Sequence, residues 1–303
     1  VVGRVCVLTP HPLVAVRILD RVSIAAAGQG VWAGRMAALL GADVVLCGFA
    51  GGATGAVVAA LLDEQGLRAR LTPTSAESGR YVQDAARDDQ VVAATWSGPA
   101  TQGETCALLA DLAEAVRDAD VLVVTNPMPG DALSWDVYPA AVRAGHDAGA
   151  RVLVDLSSPR LDAALAAHPC LVKLNDWELA ESVAGPVARP AARDEALQSL
   201  LRRGAGFVVL TSGPGEVVAR DRDGTSWTLH PPDVGQGVAA GCGDAMTGAM
   251  AAALAAGQTW PAVLTTGVAA GAAHHRSARV PVTAAGVADL AAAIRRAAQP
   301  GPW

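Results

Sequence analysis

The chain has 303 residues, long enough for one large α/β domain or two ordinary ones. Apolar residues make up 51%, which supplies a large core and argues against disorder. The formal charge of −6 argues against a nucleic-acid surface, which needs a basic stripe.

Residues 4–9, RVCVLT, are a short β-branched run and read as a buried strand. The stretch AAAGQG at 25–30 opens an early helix, VWAGRMAALLGA at 31–42, which ends on Gly41. A strand at 43–52, DVVLCGFAGG, runs into a glycine turn, and a second helix at 55–67 is closed by Gly66. This alternation points to a parallel sheet covered by helices. From 71 to 96 the pattern changes. RYVQDA and VVAATW flank a polar turn at 87–90 and read as an antiparallel hairpin, an insert that often covers a site as a lid. Alternation then resumes: helix at 104–119, strand DVLVVTN ending in PMPG, helix at 137–150, strand RVLVDLS, helix at 159–168, strand CLVKLN, helices at 176–185 and 195–205, strand FVVLTSG. EVVARDR and TSWTLHPP read as a second hairpin, followed by a Gly-rich start to an Ala-rich helix and two further helical segments. The expected fold is α/β with a mostly parallel sheet, one domain over 1–303, and lid segments at about 9–24 and 71–97.

The five cysteines, Cys6, Cys47, Cys106, Cys170 and Cys242, form no CxxC pair and have no histidine at metal spacing, so they read as small buried residues in a reducing cytoplasm. No stretch combines a basic flank, an apolar centre and a cleavage site, and the Ala-rich runs are interrupted within membrane-spanning length. A soluble cytoplasmic protein with no membrane or nucleic-acid partner is expected. Lys173 is the only lysine in a chain that otherwise uses arginine, which reads either as the arginine-codon habit of a GC-rich genome or as a place where a compact ammonium matters.

Four motifs carry chemistry. In AAGCGD, 239–244, two glycines precede a helix whose first N–H groups are unpaired, which makes an anion site. Asp244 then either caps the helix or accepts a proton from an attacking hydroxyl beside the anion. In KLNDWELA, 173–180, Asn175 and Glu178 lie at a strand's C-terminal end, three residues apart. They either form a capping box or hold the water shell of Mg²⁺ beside phosphates. TSGPGE, 211–216, either wraps phosphates or turns into the next hairpin. Gly28 and Gly30 mark either a lid hinge with close approach to substrate or a simple turn.

Taken in order, these features resemble the ribokinase-like, PfkB-type carbohydrate kinases, most like the 1-phosphofructokinase and tagatose-6-phosphate kinase branch. The resemblance covers nearly the whole chain and rests on LGADVVLCGFAGGATG, DLSSPRLDAALAAHPCLVKLNDWEL and GCGDAMTGAM. It implies a three-layer α/β/α core with a small β-sheet lid, and transfer of the ATP γ-phosphoryl group to a hydroxyl of a sugar or a fructose-1-phosphate-like sugar phosphate. It also implies Asp244 as catalytic base and Gly241, Cys242 and Gly243 as the anion hole. Asn175 and Glu178 match an Asn-x-x-Glu that serves Mg²⁺ and phosphate, and Lys173 matches the lysine two before it. Thr211, Ser212, Gly213 and Gly215 match the nucleotide loop, with Glu216 where glycine is usual. Arg80 matches a lid arginine that reaches a substrate phosphate, and Gly28, Gly30 and Trp32 fall on the substrate side. ATP and Mg²⁺ are the implied cofactors, and a homodimer through the lid is a further implication.

The departures from that family pattern lie on the sugar side. Its TLNPAID is here TPHPLVA, with Ala15 for the aspartate. Its GGKGINVAR is here AGQGVWAGR, with Gln29 for the lysine and Trp32 for the asparagine. Its LNEPGP is here ATWSGP, with Trp96 for the acid. Val238 and Ala239 replace hydroxyl-bearing residues, which weakens the case for a bound potassium ion. Losing an Asp and an Asn changes which hydroxyls the pocket can read, and Trp32 and Trp96 either add flat apolar area to it or belong to the core or a lid dimer. Three readings follow: a kinase with a less polar acceptor, a nucleoside kinase with a base stacked on Trp32 or Trp96, or a ligand-binding homologue without turnover.

Overall fold

Along the first strand, Val5 and Val7 enter one apolar cluster while Cys6 and Leu8 enter another, and Val121 and Val123 part from Leu122 and Val124 in the same way. Successive strand side chains point to opposite faces, so strands apolar at every position must be covered on both sides. The computed structural model describes residues 2–18, 21–84, 90–127, 133–183, 185, 187 and 189–297.

In chain order the elements are β1 (Arg4–Leu8), β2 (Leu13–Ile18), β3 (Val22–Ala27), α1 (Gln29–Leu39), β4 (Asp43–Ala50), α2 (Gly52–Glu64), β5 (Arg68–Pro73), β6 (Arg80–Asp84) and β7 (Gln90–Thr95). They continue with α3 (Gln102–Val116), β8 (Val121–Thr125), α4 (Val137–Asp147), β9 (Arg151–Asp155), α5 (Arg160–Leu165), β10 (Leu171–Asn175), α6 (Asp176–Ser182), α7 (Pro190–Arg202) and β11 (Phe207–Thr211). The last are β12 (Val217–Asp221), β13 (Ser226–Leu229), α8 (Cys242–Ala255), α9 (Trp260–His275) and α10 (Ala284–Ala297).

Among the described residues, nine strands form one sheet in the order β13-β12-β11-β10-β9-β8-β1-β4-β5. Its pairs are parallel from β5 to β11 and antiparallel at β12 and β13. One face carries the cluster that includes Met36, Met246, Met250 and Val268, from α1, α8 and α9, and the other carries Leu112, Val142 and Leu200, from α3, α4 and α7. A second sheet, β3-β2-β6-β7, stands apart, with β2–β6 parallel and its two outer pairs antiparallel.

The hairpins expected at 80–96 and 216–232 are present, the second over 217–229. The polar turn expected at 87–90 falls, apart from Gln90, outside the described residues, as do residues 128–130 of PMPG. Helix α7 begins at Pro190, five residues before the expected start, because a proline in the first turn loses no hydrogen bond. The sequence pattern does not mark β5, and it gives β2 and β3 only as a lid segment at about 9–24. Residues 25–27 are three alanines, and their strand pairing comes from β2 rather than from their own propensity.

Candidate active site

Parallel strands bring their C-terminal ends to one edge. The register aligns Thr125 with Asp155, Asp155 with Lys173, and Asn175 with Thr211. The strand order reverses at β1/β8, since the chain builds β4 and β5 on one side of β1 and β8 to β11 on the other. Such a switch point opens the crevice where α/β sheets take ligands.

Helix α8 points its N-terminus into this region. Gly241 holds the cap position at φ 83, where an L side chain is strained, and a Cβ there would sit 2.7 Å from His274 Nε2. No side chain caps α8, so the structure decides against Asp244 as the cap. The first-turn donors keep their partial positive charge for an anion. Asp244 is half-buried in that first turn. Burial, then the nearby Asp155 and Glu178, push its pKa up to about 7, against the pull of Lys173.

Behind it lies a buried charge cluster. Lys173 Nζ donates to Asp155 Oδ2 at 2.8 Å, and Thr247 Oγ1 donates to the same oxygen at 2.6 Å. Asp155 is fully buried and its Oδ1 has no hydrogen-bond partner among the described residues. Burial works against the Lys173 charge, but Asp155, Glu178 and Asp244 outweigh it and hold the ammonium above its usual range. A Cβ on Gly243 would lie 3.1 Å from Lys173 Nζ, so the glycine lets α8 settle against the lysine.

Asn175 and Glu178 form a complete capping box. Asn175 Oδ1 accepts from the backbone N–H of Trp177 and Glu178 at 2.9 and 3.0 Å, and Glu178 Oε2 accepts from Asn175 N–H at 2.8 Å. The box leaves Glu178 Oε1 and Asn175 Nδ2 uncommitted by those bonds. Glu178 is nearly buried, and burial followed by Asp155 raises its pKa.

Residues 211–215 follow β11 next to Asn175, and Ser212 Oγ is buried without a partner among the described residues. Glu216 accepts from Arg193 Nη1 at 3.1 Å, and Arg193 reaches Asp176 at 3.2 Å, which accounts for a carboxylate in this loop. On the small sheet, Arg80 shares a row with Val14, which pairs with Ala26, two residues before Gly28. Two strand spacings, roughly 10 Å, separate Arg80 from Ala26. Its guanidinium is exposed and donates to Thr54 Oγ1 at 3.2 Å.

The other sugar-side residues are tied to protein. A Cβ on Gly30 would meet Thr9 Cβ at 2.5 Å, so Gly30 is a packing glycine that seats α1 on the strand ends. Trp32 is half-buried, with the Arg35 guanidinium 4.6 Å over its ring and His274 edge-on at 5.7 Å. Trp96 lies 6.5 Å from Tyr81. Sequence reasoning missed Asp155 and sets His274 aside as structural; the structure puts His274 Nε2 3.0 Å from Ala240 O, just before the α8 cap. The one available signal was an aspartate closing the apolar run RVLVD at a strand's C-terminal end.

The sequence profile of the pfkB family carbohydrate kinases matches residues 12–280. The chain belongs to that family. Members of that family are carbohydrate kinases. A 1-phosphofructokinase of Xanthomonas campestris is 35% identical over 147 residues, 47% of this chain and 46% of that one, so the chain spans about half the length of that relative. The ATP-dependent 6-phosphofructokinase isozyme 2 of Escherichia coli is 28% identical over 250 residues, 81% of this chain and 80% of that one. Among solved structures, Escherichia coli phosphofructokinase-2 in complex with fructose-6-phosphate superposes with a TM-score of 0.82 at 25% identity, covering 97% of this chain and all of that one. Ribokinase of Arabidopsis thaliana, complexed with ribose and ATP, shares the fold with a TM-score of 0.73 at 17% identity, covering 96% and 99%. The ribokinase-like architecture expected from the resemblance is therefore the observed one.

Proposed function

We propose that this pfkB member transfers the γ-phosphoryl group of ATP to a hydroxyl of a sugar or a sugar phosphate of the fructose 1-phosphate kind. The observation that carries the reading is Asp244, a half-buried carboxylate with a pKa near 7 at the uncapped N-terminus of α8. A base with that value takes a hydroxyl proton at neutral pH. The hydroxyl oxygen forms its bond to the γ-phosphorus as the bond to the ADP oxygen breaks, and the proton stays on Asp244. Donors at Gly241, Cys242 and Gly243 stabilise charge on the transferring group. The loop Thr211, Ser212, Gly213, Gly215 binds nucleotide phosphates, and the buried unpaired Ser212 hydroxyl supplies a donor there. Lys173 holds the carboxylates beneath α8 in place.

Magnesium fits the donor set only together with phosphate. Among the described residues no three His, Cys, Asp or Glu side chains are placed to chelate a metal on their own. Mg²⁺ takes most of its ligands from water and phosphate and needs only one or two from protein. Glu178 is the residue that would hold it, with Asn175 toward the phosphates, and the ion would supply charge neutralisation between the β- and γ-phosphates.

The small sheet acts as a lid over the acceptor, with Arg80 reaching an acceptor phosphate. Its outer strands β3 and β7 expose Val22, Ile24, Val91 and Val92, an apolar edge suited to a second copy of this chain. A homodimer through the lid follows. The Cys6 and Cys47 sulfurs lie 3.9 Å apart and unbridged, which supports a reducing, cytoplasmic setting. Among the described residues no helix is long and apolar enough to cross a membrane.

The test is ATP turnover across sugar phosphates, sugars and nucleosides, comparing the natural chain with Asp244→Asn. Turnover with a sugar or sugar phosphate that the substitution abolishes supports the reading. Turnover with nucleosides alone reassigns the acceptor, and binding without turnover makes the chain a ligand-binding homologue.

A further inference from the structure

The peptide between Ala240 and Gly241 leads into α8, and a side chain from another helix holds it. His274, at the end of α9, has its Nε2 3.0 Å from Ala240 O. A carbonyl oxygen only accepts, so Nε2 carries the proton and donates, which fixes the tautomer. Burial lowers the His274 pKa, against the pull of the Ala240 bond, so at neutral pH the ring is uncharged and Nδ1 carries no proton.

The Ala240–Gly241 peptide is trans. In a trans peptide the C=O and the N–H point in opposite directions. With Ala240 O held toward the histidine, the Gly241 N–H is turned the other way. That N–H has no hydrogen-bond partner among the described residues. The next one, on Cys242, leans back to Ala239 O at 3.4 Å, so Gly241 supplies the freer donor of the two.

The approach of α9 is close. A Cβ on Gly241 would lie 2.7 Å from Nε2, so a larger residue could not stand between the ring and α8. Val238 N–H donates to His275 O at 2.7 Å, and a Cβ on Gly237 would stand 1.9 Å from that oxygen. The segment from 237 to 241 is therefore laid along the end of α9. Trp32 backs the His274 ring edge-on at 5.7 Å and carries the Arg35 guanidinium 4.6 Å over its own face. Arg35 in turn donates to Ala26 O on β3.

We infer that His274 is a positioning residue for the anion site: by holding Ala240 O it aims the Gly241 N–H at the transferring phosphoryl group, and Trp32 keeps the ring in place. The inference rests on the reading of the α8 start as the place of transfer. It gives His274 a part in the reaction through the backbone of another residue.

The experiment uses the full chain with two substitutions. His274→Gln sets an amide donor where Nε2 stands, and His274→Leu cannot donate. The first readout is the long-range ¹H–¹⁵N NMR spectrum of the natural chain at neutral pH, with His274 assigned by its loss in His274→Gln. The proton is expected on Nε2, and a ring protonated on Nδ1 alone overturns the inference. The second is turnover with the best acceptor, beside calorimetric affinities for ADP alone and for ADP with aluminium fluoride, which imitates the transferring group. His274→Leu lowers kcat by about 10- to 100-fold and weakens the aluminium fluoride complex by a similar factor, while ADP alone binds within about twofold of the natural affinity. His274→Gln recovers most of both losses. Equal rates in all three chains overturn the inference, as does a loss that His274→Gln does not recover or one matched by lost ADP affinity. If His274→Leu does not fold, the tautomer decides alone. A natural chain that phosphorylates no acceptor removes the reading and this inference with it, an outcome distinct from turnover that His274→Leu leaves unchanged.

Discussion

The ammonium of Lys173 and the carboxylate of Asp155 form a 2.8 Å ion pair from which water is almost wholly excluded. The pair sits under the α8 N-terminus, and the remaining Asp155 oxygen is left without a partner among the described residues. Removing one member of such a pair strands a buried charge. Lys173→Met is therefore expected to cost about 3–5 kcal/mol in urea unfolding. The double variant Lys173→Met/Asp155→Leu loses less than Lys173→Met alone. A single substitution that costs under about 1 kcal/mol contradicts the assignment.

Asp244 makes folding depend on pH with a definite sign. Its folded pKa, near 7, lies above the ordinary aspartate value, so the unfolded chain releases this proton more readily. The stability it contributes is fully present below the ordinary value and is lost as pH rises through the folded one. Relative to Asp244→Asn, the natural chain loses about 1–3 kcal/mol between pH 4 and 7. Unfolding titrations of both chains at several pH values check this, and a flat difference contradicts the raised pKa.

Trp32 stands between Arg35 and His274, and His274 meets the carbonyl just before the α8 cap. Trp32→Asn removes the ring contacts and restores a hydrogen-bonding amide to the acceptor side. A stability loss of about 1–2 kcal/mol is expected. The ratio of kcat/KM between two sugar acceptors differing by one hydroxyl shifts about tenfold or more. An unchanged ratio assigns Trp32 to packing alone.

Much of the large sheet was legible because β1, β8, β9, β10 and β11 are short apolar runs closed by polar residues, a local pattern. The small sheet was less so. The β2–β6 pairing joins Val14 to Arg80, 66 residues apart, and β3 owes its strand to pairing with β2 rather than to its alanines. At the site, Asp244, Lys173 and the Asn175/Glu178 box could be read because each sits at a strand end or helix start. The choice between cap and base at Asp244 needed the cap geometry itself: an uncapped α8 start with Gly241 at positive φ.

The central claim is that Asp244 takes the acceptor's proton. It is tested most directly by single-turnover transfer from γ-labelled ATP to a sugar phosphate, with the natural chain and Asp244→Asn both saturated in ATP. The account predicts a loss of about 100-fold or more in the transfer rate, with ATP affinity retained. Transfer by Asp244→Asn at the natural rate would contradict it.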